Sequence, residues 1–208
     1  MRNHLARHNR VMKLRPATRD DLAACLAVCL GTGDSGQDAS HLFSLPELLG
    51  DIFVAPYIEF CLDFAWVLVD DTDAVCGYVL GCPDNERFDQ QLQSQWWPAM
   101  RTKYADAVAS TKDDADCLAF IAAPSSAPAE VLSAFPAHGH IDLLAPAQGQ
   151  GWGVTMMNTM MDALKAAGVP GMYLDVSVVN LRAQKFYARL GFVEITRAGE
   201  SVYLGINF

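Results

Sequence analysis

The chain has 208 residues, 51% of them hydrophobic and 19% charged, with a formal net charge of −9. That balance supplies apolar surface for a packed core and excludes a disordered chain, while an acidic field of this size repels phosphate backbones and anionic membranes, so neither nucleic acid nor a membrane is expected as a partner. No stretch reaches the ~18 uninterrupted apolar residues needed to cross a bilayer, and the opening MRNHLARHNR lacks the apolar core of a secretory signal. A cytoplasmic protein is expected, with a flexible tail over residues 1–11 and one domain over 12–208.

In chain order, KLRPAT reads as a short strand, and Thr18 followed three residues later by Asp21 reads as a helix start leading into Leu22, Leu26 and Leu30 at helical spacing. GTGDSGQDAS is a turn-rich loop, and the apolar, proline-interrupted run from His41 to Phe60 predicts broken helix. Phe64 to Val69 and Val75 to Gly81 are β-rich runs separated by Asp70, Asp71, Thr72 and Asp73, which predicts a hairpin inside a sheet. Residues 84–114 are polar and helical in composition, and Cys117 to Ala123 reads as another strand before the loop PSSAPAE; residues 84–137 are expected to be an insert. His140 to Leu144 predicts a strand running into APAQGQGWG, followed by a helix from Val154 to Ala167 that ends at Gly168 and Pro170. A β-run from Met172 to Val179, a helix from Leu181 to Leu190 and strands at Gly191–Thr196 and Ser201–Ile206 close the chain.

The six cysteines contain no C-x-x-C pair and mostly sit in apolar runs, so reduced core thiols are expected. His138, His140 and Asp142 alternate along a strand and should share one face, where substrate contact or solvation outweighs metal binding; no metal is expected. The pair Trp96 and Trp97 reads as core or dimer contact, and apolar segments around the insert could form a symmetric homodimer.

Gln148-Gly149-Gln150-Gly151-Trp152-Gly153 lies between a strand and a helix, where unpaired N–H groups and the positive end of the helix dipole make an anion site. Three glycines in five residues fit neither the dinucleotide fingerprint G-x-G-x-x-G nor a Walker loop, so the turn alone suggests only phosphate. The order Q-x-x-G-x-G, helix, β-run ending in Asn180, then A-x-x-F-Y-x-x-L-G-F from Ala183 to Phe192 resembles the acetyl-CoA core of the GCN5-related N-acetyltransferases (GNAT).

That resemblance implies an α/β (α+β) GNAT fold, with a central, mixed but mostly antiparallel twisted sheet of about six or seven strands flanked by helices. It implies acetyl-CoA as cosubstrate and an amine acceptor, either a small molecule or a protein lysine or N-terminus. By resemblance Leu143 and Leu144 offer backbone groups to the pantetheine arm, Gln148 to Val154 cradle the pyrophosphate, and Asn180, Ala183, Phe186 and Tyr187 line the cofactor. Tyr187 would act as general acid toward the thiolate, and Asp175, in YLDVSVVN, takes the place of a carboxylate base, with a solvated strand-edge aspartate as the alternative. A longer resemblance, carried by LRPATRDDLAACLAVC, WVLVDDTDAVCGYVLG, SQWWPAM, AFPAHGHIDLL and FYARLGF, is to the acetyltransferase-like C-terminal domain of O-GlcNAc hydrolases and its stand-alone bacterial relatives. Two functions follow: an acetyl-CoA-dependent N-acetyltransferase, or a catalytically weak or inactive acetyl-CoA-binding pseudo-acetyltransferase serving as an interaction module.

Overall fold

The computed structural model describes residues 11–208, so all but Val11 of the expected tail lies outside the described residues. Seven strands form one sheet: β1 (Lys13–Pro16), β2 (Ala65–Val69), β3 (Val75–Cys82), β4 (Ala137–Leu143), β5 (Gly171–Ser177), β6 (Val193–Ala198) and β7 (Ser201–Asn207). Their order is β1-β2-β3-β4-β5-β7-β6, and every neighbouring pair is antiparallel except β4–β5, which is parallel. This is the mixed, mostly antiparallel seven-stranded sheet that the resemblance implies.

Two helical layers cover it. On the front face α1 (Leu22–Leu30), α2 (Leu48–Phe53) and α3 (Ala55–Phe60) pack on Val67, Tyr78 and Leu80, with Cys25, Val28, Cys29 and Ile58 buried between. Chain entry into α1 is set by Asp21, whose carboxylate accepts from the Thr18 amide and hydroxyl and from both terminal nitrogens of Arg15. Pro56 in the first turn of α3 separates it from α2, which is the broken helix that the prolines predict.

On the back face α8 (Trp152–Ala166) buries Met156, Met157, Met160, Met161 and Leu164, one stripe at helical spacing, against Val79, Met172 and Leu174. The last helix, α9 (Leu181–Arg189), adds Tyr187 to the same core.

Between β3 and β4 the chain forms α4 (Asn85–Gln91), a π-helical turn (Leu92–Trp96), α5 (Trp97–Lys103), α6 (Lys112–Ala122) and α7 (Ala129–Ala134). Here the sequence reading needs one correction: in the run Cys117 to Ala123, read as a strand, the chain is helical through Ala122 and Ala123 is the residue that ends the helix. Thr111 and Asp114 form a reciprocal capping box that starts α6, and Cys117, Leu118, Phe120 and Ile121 then fall on one helical side, against α2 and α5. Trp97 is buried in that cluster, edge-on to Phe120 at 5.7 Å, and the half-buried Trp96 donates its indole N–H to the Asp51 carbonyl. Five of the six cysteines are buried, and none pairs in a disulfide among the described residues. Among the described residues no helix is long and apolar enough to cross a membrane.

Candidate functional site

The site begins where the sheet comes apart. β4 and β5 pair only at Ala137↔Met172 and His138↔Tyr173; beyond these, β4 continues along β3 as far as Leu143↔Gly77 while β5 continues along β7 as far as Ser177↔Ser201. The Leu144 amide donates to the Cys76 carbonyl, so by strand alternation His140 and Asp142 direct their backbone groups toward β3, and Gly139, Ile141 and Leu143 direct theirs into the gap. The Leu144 amide is thus taken by the Cys76 carbonyl, and the Leu144 carbonyl accepts from the Ala147 amide. Ile141, which the sequence reading did not name, has the same backbone orientation on β4 as Leu143.

The end of β4 runs directly into the glycine turn. The side-chain amide of Gln148 donates to the Leu143 carbonyl at 2.7 Å, which ties the turn to the strand. Gly149 and Gly151 have φ of 73° and 87°, conformations that residues with a Cβ rarely adopt. They turn the chain so that the amides of Gly149, Gln150, Gly151, Trp152 and Gly153 find no acceptor among the described residues. Open space lies in front of Gly149 and Gly151, whereas a Cβ on Gly153 would stand 3.2 Å from the Phe186 ring, so that glycine lets α9 approach α8. Five free amides at the start of a fifteen-residue helix form a concave cradle of donors at the positive end of its dipole, an arrangement suited to an anion.

A cleft of about 1790 Å³ joins this cradle to the front face of the sheet. Leu143, Gln148, Gly149, Gly151, Gly153, Val154, Asp175, Asn180, Ala183, Phe186 and Tyr187 all line it. Three predicted residues do not present side chains there: Gln150 bonds back to the Pro146 carbonyl, Trp152 packs on the back core, and Leu144 lies between α1 and β3. Asn180 caps α9 by accepting from the Ala183 amide at 3.0 Å, which leaves its own amide N–H groups to face the cleft.

Tyr187 sits on α9 with 8% of its surface exposed. Burial first, and the negative charge of Asp142 second, push its phenol above the ordinary range and keep the proton on oxygen. The oxygen has no hydrogen-bond partner among the described residues and is not sealed from solvent, so it opens on the cleft.

Asp175 projects from β5 on the front face with an exposed side chain, beside Tyr173 and across the ladder from Tyr203. The cleft walls raise its carboxyl above the usual carboxylate range by desolvation, against opposing effects of Ser201 and His140. Across the gap, β4 presents His140 and Asp142 on the same face, with His140 Nε2 2.9 Å from Asp142 Oδ2. His138 is placed differently from its neighbours. It stacks on Tyr173 at 5.5 Å between Tyr57 and Phe88, its Nδ1 pairs with Asn85 Oδ1, and burial followed by the charge of His140 lowers it to about 4. His138 is a neutral packing residue.

Charge divides the cleft in two. Its lining carboxylates, Glu86, Asp89, Asp142 and Asp175, lie on the side of the insert and the front face, while its lining arginines, Arg182 and Arg189, are on α9 by the phosphate cradle. Among the described residues no three His, Cys, Asp or Glu side chains converge as metal ligands. Phe53 and Phe120, with ring centroids 6.3 Å apart, wall the acidic side, and neither was singled out from the sequence because they belong to α2 and α6, 67 residues apart.

Comparison with known proteins agrees with this architecture. The family model for the acetyltransferase (GNAT) family matches residues 39–192. Protein O-GlcNAcase of Rattus norvegicus is 29% identical over 198 residues, which cover 91% of this chain and 21% of that protein, so the chain spans about a fifth of the length of this curated relative. The crystal structure of SsHAT superposes with a TM-score of 0.87 at 33% identity, covering 94% of this chain and 98% of that one. PaiA N-acetyltransferase from Thermoplasma acidophilum, solved in complex with coenzyme A, shares the fold with a TM-score of 0.54 at 11% identity, covering 95% and 99% of the two chains.

Proposed function

Because this chain belongs to the acetyltransferase (GNAT) family, we propose that it binds acetyl-CoA in the gap between β4 and β5 and transfers the acetyl group to a primary amine, on a small molecule or on a protein lysine or N-terminus. The observation that carries this reading is the run of five unpaired amides from Gly149 to Gly153, continuous with a β4 edge that pairs with no strand at Ile141 and Leu143, where only the Leu143 carbonyl is engaged, by Gln148. The cradle would hold the pyrophosphate, Arg182 and Arg189 add positive charge beside it, and the strand edge would align the pantetheine arm by backbone pairing. An amide of β4 pointing into the gap is also suited to polarise the acetyl carbonyl.

An amine acceptor is favoured by the charge division. An ammonium entering the insert side meets carboxylates and no lysine or arginine, so it is attracted and held before reaction. Asp175, on the floor of that side, would bind the incoming ammonium, and Tyr187 would protonate the departing thiolate from an oxygen that keeps its proton at neutral pH. Most of the rate would come from holding amine and thioester in line.

The test is coenzyme A release from acetyl-CoA in the presence of 2-phenylethylamine, spermidine or an Nα-blocked lysine, measured above the hydrolytic background. Release with any of them supports the transferase. Tight acetyl-CoA binding without release would instead identify a binding module.

A further inference from the structure

We propose that His140 is the base that takes the proton from the acceptor amine, with Asp142 and Tyr78 as positioning residues that set which of its nitrogens does so. This assignment rests on the transferase reading above and fills the step that the cofactor-binding residues leave open. Tyr78 of β3 lies directly across the ladder from Asp142 of β4, and His140 precedes Asp142 by two residues on the same face. Tyr78 Oη hydrogen-bonds Asp142 Oδ2, and His140 Nε2 lies 2.9 Å from that same oxygen and 3.2 Å from Tyr78 Oη.

The proton positions follow from what each group can donate. Tyr78 is fully buried; burial first, and then Asp142, hold its phenol well above the ordinary range, so the hydroxyl stays protonated and donates to the carboxylate. An ionised carboxylate only accepts, so the ring nitrogen beside it must carry a proton. Neutral His140 is therefore the Nε2–H tautomer, and its lone pair is on Nδ1. No described group bonds to Nδ1, and no buried side-chain nitrogen lacks a partner, so Nδ1 is open to the cleft that His140 lines. A lone pair facing the substrate, with the opposite N–H on a carboxylate, is the arrangement in which an imidazole accepts a proton and is stabilised as imidazolium.

The surroundings favour that charge. Around the ring are Tyr78 from β3, Asp142 and His138 from β4, Asp175 from β5 and Phe53 from α2, with Cys29 of α1, Tyr57 of α3 and Tyr187 of α9 lining the same cleft. Burial pushes the Cys29 thiol up to about 12, so it stays uncharged, and His138 is neutral for the reason given above. An imidazolium at His140 would thus meet two carboxylates and no cation among the described residues.

Two protons must leave the acceptor nitrogen. The first passes from the ammonium to His140 Nδ1 and on to solvent, which frees the nitrogen lone pair to form the bond to the acetyl carbon. The carbon–sulfur bond then breaks as Tyr187 gives its proton to sulfur, and the second proton from the nitrogen replaces the one Tyr187 gave. The sum is one amide, one thiol and one proton released.

Long-range ¹H–¹⁵N NMR of histidine-labelled protein at mildly alkaline pH tests the tautomer without any acceptor. His140, assigned by its loss in His140→Gln, is expected as the Nε2–H form in wild type and as a mixture in Asp142→Asn. A wild-type Nδ1–H form would overturn the proposal. Kinetically, with the best of the three amines above, His140→Gln should lower kcat/KM by ~10²-fold or more and remove the ascending limb of the pH profile, while acetyl-CoA still raises the melting temperature of the variant. Imidazole in the buffer should restore part of the turnover of His140→Gly. Tyr78→Phe and Asp142→Asn should keep the limb but move it, which a merely structural role would not do. If the limb persists in His140→Gln and disappears in Asp175→Asn, the base is Asp175 and only this assignment fails. No release from any of the three amines by wild type overturns the transferase reading, and this one with it.

Discussion

The side-chain amide of Gln148 and the carbonyl of Leu143 are joined at 2.7 Å, five residues apart, across the junction of the last strand before the gap and the phosphate cradle. Without this bond the turn can drift relative to the strand edge, and the proposed acetyl-CoA site needs both in register. A neutral hydrogen bond of this kind contributes about 1 kcal/mol. Gln148→Ala is expected to weaken acetyl-CoA binding by roughly 5- to 10-fold by calorimetry, with a loss of about 2–4 °C in the melting temperature of the free protein. Unchanged affinity would separate the cradle from the strand as independent sites.

Gly151 tests the cradle itself. Its φ of 87° costs a residue with a Cβ about 1–2 kcal/mol, yet a Cβ there meets nothing within 4 Å, so a side chain would enter the open space and not the core. Gly151→Glu should therefore fold, with a melting temperature lowered by roughly 2–8 °C, and place a carboxylate where the amides point. Saturation of the wild type at about 100 times the dissociation constant adds about 2.7 kcal/mol, a rise of roughly 5–11 °C. The variant is expected to show no rise with acetyl-CoA.

Tyr187→Phe removes one oxygen from a side chain that otherwise keeps its packing against Phe186 and Phe192. Acetyl-CoA affinity should be unchanged, and kcat should fall by ~10²-fold with an acceptor whose chemical step is limiting. The ordinary phenol loses its proton near pH 10, and burial with Asp142 moves Tyr187 upward. The wild-type rate should consequently show no decline from this group below about pH 10. An earlier decline that is absent in Tyr187→Phe would mean that its phenol is more acidic than its burial implies.

The glycine turn, its flanking strand and helix, and the motif around Tyr187 were legible because each is local: a few adjacent residues carry turn chemistry and helical or β composition. Cys117 to Ala123 was misread because its run of apolar residues satisfies either period, and the deciding signal lay upstream in Thr111 and Asp114. Ile141 was not named beside Leu143 and Leu144 because strand alternation fixes which residues face the gap only when one pairing, here Leu144 to Cys76, is known. The Tyr78–His140–Asp142 cluster was half visible. Two of its members alternate on one strand, but the third is 62 residues from His140 and reaches it only through the register of β3 on β4. The walls of the acidic side, from α2, α4 and α6, are likewise a product of packing and have no signature of their own.

Asp114 ties the start of α6 to the segment before α2, and its removal is expected to loosen the wall that carries Phe120. Its side chain is fully buried and accepts from the Ser44 amide at 3.1 Å and hydroxyl at 2.6 Å, and from the amides of Leu45, Ser110 and Thr111. Burial alone would raise its carboxyl, but these bonds, led by Ser44, outweigh it and hold the group at about 2. Asp21, bonded first by Arg15, opposed next by burial and bonded further by the Thr18 amide and hydroxyl, is also held at about 2. A carboxyl depressed in the folded state favours folding while ionised. The stabilisation is therefore complete above the unfolded value near 4, and is lost as pH falls from about 5 toward 2. Thermal melts across this range should show the wild type losing stability steeply on the acid side. Asp114→Asn should melt about 4–12 °C lower at neutral pH, from roughly 2–3 kcal/mol of donors left poorly paired, and should show a shallower acid slope. Equal acid slopes in variant and wild type would mean that Asp114 is not ionised in the folded protein, and the capping network would then have to be built around a neutral acid.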